Sequence, residues 1–172
     1  MLAYFFIVAA IATRLFPHPF SFTPVGAALL FFGAYGALKR AWIPVVLLVA
    51  ADLYLTLFRY GYPFAWDQIV TWGWYAAVIL MGTKLQGSVR PMRVLGASLA
   101  VAVSFFTLSN FAVWAAYEMY PHTWSGLMAA YVAGIPFFRG EIASDVLFAT
   151  VFFSIPALAA GLQQLHARRA AV

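Results

Sequence analysis

The chain has 172 residues, ten lysines and arginines against five aspartates and glutamates, a net charge of +5, and no cysteine. With 65% hydrophobic and 9% charged residues and a mean hydropathy of +0.90, it is too apolar for a soluble domain, in which about a quarter of residues are charged. The missing cysteine excludes disulfides, thiolate metal sites and cysteine nucleophiles. Basic residues scattered in short links, not gathered in a patch, exclude a nucleic-acid surface.

A bilayer is the expected solvent. Apolar runs of roughly 20 residues fit into this length about six times, and they are continuous, not alternating as barrel strands would be. The expectation is an all-α membrane protein in which residues 1–172 form a single integral membrane domain of six transmembrane helices.

Helix one is expected over 1–16. Its start has no lysine or arginine ahead of the apolar stretch, so it reads as a true helix and not as a signal peptide, although Ala10-Ile11-Ala12 resembles a cleavage site. Pro17, Pro19 and Pro24 then fix φ and push the residues before them out of the helical region, giving a stiff, polar hairpin that presents Arg14, His18, Ser21 and Thr23. Helix two is expected over 25–38, followed by Lys39-Arg40, and helix three over 41–58, with Pro44 in its first turn and Asp52 within it. An aromatic loop at 59–67 precedes helix four at 68–83.

The link from Lys84 to Arg93 carries three basic residues and no acidic one. Helix five is expected over 94–120, with Gly96, Ala100 and Ser104 forming a small-residue seam and Asn110 further along. Residues 126–138 are too short to cross, at about 1.5 Å per residue, and are expected as a re-entrant or lid segment. The last helix is expected over 142–164, opened by Asp145 and followed by Arg168-Arg169. Placing Lys39-Arg40, the 84–93 link and the basic tail inside puts both termini in the cytoplasm.

In that topology the costly polar side chains Arg14, Asp52, Asn110 and Asp145 fall in the outer half. Ionisable residues within a membrane are functional candidates when nothing structural accounts for them. Asn110, Trp114 and Tyr117 share one helical face at spacings of four and three. An apolar cavity with a few convergent polar groups is the usual form of a small-molecule site. Structural alternatives stand beside each: interfacial anchoring for the aromatics, an Arg14–Asp52 pair, a dipole contact for Asp145, and a loop hydrogen bond for His18. Metalloprotease, serine hydrolase and phosphate-loop motifs are missing. Asp52 and Asp145 lack the adjacent glycine of intramembrane aspartyl proteases, so no enzyme, cofactor or metal is expected.

The Pro-His-Pro-x-x-Phe-Thr-Pro hairpin at 17–24, Pro44 with Asp52, Ser109-Asn110-Phe111-x-x-Trp114, Tyr120 with Gly126 and Tyr131, Ile135-Pro136-Phe137-Phe138 and Asp145 together resemble a bacterial membrane family of unknown function that carries a provisional transport label. More distantly, the design is similar to the S components of energy-coupling-factor vitamin transporters. That resemblance implies an inner-membrane location, an outward-facing pocket, a lid from the loops at 17–24, 59–67 and 121–140, and energising transporter subunits as partners. The Ala-x-x-x-Ala docking motif of S components is missing from helix one, where Ala9 is followed four residues later by Thr13.

The expectation is a small-molecule transport protein whose site is Arg14, His18, Asp52, Asn110, Trp114 and Asp145. Arg14 or His18 holds an anionic group, Asn110 orients the ligand, Trp114 stacks on it and Asp52 takes a cation or proton. The alternatives are a membrane scaffold docking through the Gly96 seam and, further off, an intramembrane enzyme.

Overall fold

The structure, a computed structural model, describes residues 1–16 and 22–170, with side chains placed as far as residue 167. The centre of the expected hairpin, residues 17–21 with His18 and Ser21, lies outside the described residues. Those described form six α-helices and no strand: α1 (Leu2–Leu15), α2 (Val25–Tyr35), α3 (Trp42–Tyr54), α4 (Asp67–Thr83), α5 (Pro91–Ala116) and α6 (Trp124–Ala170). A 3-10 turn at Leu38–Arg40 precedes α3, and a π-helical turn at Leu55–Arg59 follows it.

Local chemistry accounts for several of these ends. Phe16 is extended (φ −101°, ψ 157°), as a residue before proline tends to be, and it stops α1. Arg90 is likewise extended before Pro91, which occupies the first turn of α5, where its missing N–H costs nothing.

The centre of the fold is α2. All ten residues from Val25 to Ala34 are buried, as befits a helix that is apolar all round, and it packs against α1, α4, α5 and α6. Aromatic rings weld three of these together: Phe6 stacks on Phe152 at 3.9 Å, and Phe31 meets Phe6 at 4.8 Å and Phe153 at 5.1 Å. The crossing of α2 and α4 is a backbone contact. A Cβ on Gly33 would run into the Ile79 carbonyl and Gly82 Cα, and one on Gly82 into the Leu30 carbonyl, so both positions require glycine for the helices to approach this closely.

Three helical stretches are long and apolar enough to cross a membrane: Leu38–Arg59, Pro91–Ala116 and Trp124–Ala167. Only 17–28% of their most apolar windows is buried within the chain, so most of that apolar surface faces outward, as at Val46, Phe58, Leu99, Val132 and Leu147. The other expected crossings are shorter. At 1.5 Å per residue, α1, α2 and α4 reach about 21, 16 and 26 Å, below the roughly 30 Å of a hydrocarbon core.

Two expectations are corrected. Residues 126–138 are not a separate re-entrant or lid segment but the first part of α6, a continuous helix of 47 residues with Pro136 and Pro156 inside it. The Arg139-Gly140-Glu141 triplet does not break it, because arginine and glutamate are good helix formers and one glycine costs only about 1 kcal/mol. Prolines are tolerated in helices of this apolar kind when the freed carbonyls find other partners. The small-residue seam on α5 packs within the chain only at Ser104, which accepts a hydrogen bond from Trp74 Nε1 of α4 at 2.9 Å. Gly96 and Ala100 are exposed, and a Cβ on Gly96 would meet nothing; the inward face of α5 is Val94, Ser98, Val101 and Ala102.

Candidate ligand cavity

Asp52 lies near the end of α3, 7% exposed, in a stretch otherwise built of Val, Leu and Ala. Its carboxylate takes three donors from two other helices. Arg14 of α1 pairs with Oδ1 at 2.5 Å, while the Tyr75 hydroxyl and Trp72 Nε1 of α4 donate to Oδ2 at 2.9 and 3.0 Å. Arg14 Nη1 also reaches the Tyr75 hydroxyl at 3.5 Å. Charge-assisted bonds of this kind are about twice as strong as neutral ones, so the cluster ties α1, α3 and α4 together. The π-helical turn begins three residues after Asp52, and such turns recur beside functional sites.

This cluster forms one wall of a cavity of about 370 Å³, within the range usual for small-molecule sites. The middle of α6 lines it with Glu141, Ser144 and Asp145, and so do Trp74 and Phe105, whose rings lie 4.7 Å apart. Gln68, Thr71 and Tyr60 complete a polar margin.

Asp145 is 2% exposed. It accepts a hydrogen bond from the Ala27 backbone N–H and so caps the first turn of α2, whose own N-cap, Pro24, offers no side-chain bond. Gly26 makes room for this, since a Cβ there would collide with Asp145 Oδ1 and Val101. The second oxygen, Oδ2, is buried and has no hydrogen-bond partner. The expected dipole contact with the start of its own helix is therefore corrected: Asp145 lies in the interior of α6, and the helix N-terminus it serves belongs to α2.

Of the six expected site residues, the structure brings Arg14, Asp52 and Asp145 into one cavity. Asn110 lines a separate, smaller cavity of about 190 Å³ with Phe106, Gly134 and Phe138; its amide donates to the Phe106 carbonyl at 2.8 Å, and its oxygen packs where a Cβ on Gly134 would be. Trp114 lines neither cavity. Its Nε1 donates to the Pro121 carbonyl at 3.0 Å, and its ring meets His122 edge-on at 5.3 Å, so it pins the loop between α5 and α6. The supposed common face of Asn110, Trp114 and Tyr117 dissolves because α5 ends at Ala116; the Tyr117 hydroxyl instead donates to Asp67 at 3.3 Å. His18 lies outside the described residues. The expected lid at 121–140 is mostly helix, whereas Thr23 and Tyr60, from the other two expected lid loops, do line the cavity.

Gln68, Thr71, Trp72 and Tyr75 did not stand out together in the sequence, yet their spacings of three, one and three put them on one face of α4. Polar side chains along one face of an apolar helix were the signal. Glu141 was hidden in a triplet that looked like a surface link. It lines both cavities, as does Phe105.

Among the described residues, no group of three or more acidic or histidine side chains could hold a metal ion. Fold and site of the described residues thus define an all-helical, outwardly apolar protein with a half-open cavity in which a few polar groups converge among apolar ones. The chain belongs to a family of unknown function, DUF6580, whose model matches residues 1–168. No curated protein and no solved structure matches it.

Proposed function

We propose that this is a multi-pass protein of the bacterial inner membrane that binds a small molecule in the cavity between α1, α3, α4 and α6 and takes part in its transport. The observation that carries the proposal is a chamber of about 370 Å³ where Arg14, Asp52, Glu141 and Asp145 converge inside a body whose outer surface is apolar. Holding four ionisable groups in such a body, with Asp52 and Asp145 buried and Arg14 and Glu141 half-buried, is costly. The Arg14–Asp52 pair has a structural account in tying three helices together, but the α6 carboxylates have no ion-pair partner among the described residues. In this proposal α3, α5 and α6 cross fully, and the shorter α1, α2 and α4 complete six crossings with irregular ends enclosed by protein, where such backbone is tolerated. The basic links at 39–40, 84–93 and 168–169 support cytoplasmic termini.

The test is native mass spectrometry of protein purified in mild detergent, followed by uptake assays with any molecule it retains. A bound small molecule that is lost from an Asp52→Asn variant and taken up by cells expressing the wild type supports the proposal. An empty cavity together with unchanged uptake across a metabolite panel refutes it.

A scaffold role has one observation in its favour, the exposed Gly96 and Ala100 on α5. It predicts a stable protein partner in mild detergent and no retained ligand.

A further inference from the structure

The cavity's charges are unevenly used. Arg14 is the one cation lining it among the described residues, and three carboxylates line it, those of Asp52, Glu141 and Asp145. Arg14 is spent on Asp52 at 2.5 Å, so it does not stand free to receive an anion. Glu141 and Asp145, four residues apart on α6, present their side chains on the same helical face and have no ion-pair partner among the described residues. An acidic pair alone would be unremarkable on a surface, but Asp145 is 2% exposed, lines the cavity, and keeps Oδ2 without a donor. Gln68 of α4 also lines the cavity, and its Oε1 is buried and without a donor. A buried acceptor left unsatisfied costs about 1–3 kcal/mol, and both of these would be satisfied by the same kind of guest.

We propose that the ligand of this cavity is a small organic cation carrying a protonated amine, with its ammonium group between Glu141 and Asp145 and its carbon frame against Trp74 and Phe105. The proposal rests on the cavity being a binding site, as argued above. It replaces the expected anionic ligand, because the guanidinium that would have held an anion is already paired. An ammonium group brings three donors and no acceptor, which suits a chamber with acceptors to spare, and the aromatic rings of Trp74 and Phe105 in its lining favour a cation. The volume of about 370 Å³ accommodates a ligand of one ring and a short chain. Asp145 can keep capping α2 through one oxygen while the other meets the guest.

The experiment uses three probes of nearly one shape, phenethylammonium, phenethyl alcohol and phenylacetate, titrated against the full chain in detergent by calorimetry. Phenethylammonium should bind measurably more tightly than the other two. Glu141→Gln and Asp145→Asn should each weaken it by about tenfold, as loss of a charge-assisted contact implies, and leave the weak affinity for the alcohol unchanged. If Asp145→Asn fails to fold, Glu141→Gln, which is only half-buried, decides alone. A preference for phenylacetate or for the alcohol overturns the cationic assignment and leaves the cavity as a binding site. Binding of none of the three overturns this inference, and retention of another, non-cationic molecule in native mass spectrometry does so while sparing the proposed function. An ammonium preference that survives both substitutions also overturns it, because the cation would then be held elsewhere.

Discussion

Replacing Arg14 by methionine keeps most of the apolar stem and removes the charge that faces Asp52. Asp52 then retains only the Tyr75 hydroxyl and Trp72 indole as donors, and its side chain is 9% exposed. Removing one partner of a buried ion pair costs about 3–5 kcal/mol. Because Arg14 is itself 22% exposed and two neutral donors remain, Arg14→Met should fall below that range, at about 2–3 kcal/mol. Adding Asp52→Asn removes the stranded charge while keeping an acceptor for Tyr75. The double variant should therefore be more stable than Arg14→Met alone, with a coupling energy of about 1–2 kcal/mol. Equilibrium unfolding in mixed detergent and dodecyl sulfate micelles, followed by tryptophan fluorescence, gives all four corners of the cycle. A loss below about 0.5 kcal/mol for Arg14→Met, the level of an exposed pair, or additive effects in the double variant, would refute the picture of a buried cluster joining three helices.

The same unfolding assay separates three glycines. Gly33→Ala or Gly82→Ala should destabilise by about 1–3 kcal/mol, since the added methyl meets backbone at the α2–α4 crossing and neither helix can yield without repacking. Gly96→Ala should be neutral or stabilising by up to about 1 kcal/mol, because its Cβ meets nothing and alanine is the better helix former; clear destabilisation there would instead reveal a partner packed on α5. Gly26→Ala should displace Asp145 from the start of α2, lowering the unfolding midpoint and weakening phenethylammonium binding about tenfold, as Asp145→Asn should. Trp114→Phe should cost about 1 kcal/mol through the lost bond to the Pro121 carbonyl and leave binding of that probe unchanged.

Apolar runs and proline positions were enough to locate α1 to α5 within a few residues, because those signals act locally. Helix ends were less legible. The helix expected over 94–120 stops at Ala116, where aromatic and polar residues pair with the loop and with Asp67 instead of extending the helix. The continuity of α6 was invisible, since a charged triplet in an apolar sequence looks like a link whether or not the backbone hydrogen bonds run through it. Arg14, Asp52 and Asp145 were legible because a charge in an apolar helix is conspicuous. Whether such charges share a chamber depends on which face each helix turns inward, and that is fixed by contacts far apart in sequence. Asn110 shows the limit: equally conspicuous, it faces Gly134 and not the chamber of Arg14.

The complete enclosure of α2 has a consequence for how the protein is made. Its eleven residues reach only about 16 Å, too short to cross a bilayer on their own, so its burial depends on the helices packed around it. The ring of Phe153, which meets Phe31 and Tyr35, and the carboxylate that caps the first turn of α2 both belong to α6, about a hundred residues later in the chain. The innermost helix is synthesised early and sealed late, and a nascent chain halted before residue 124 would hold it with one flank bare.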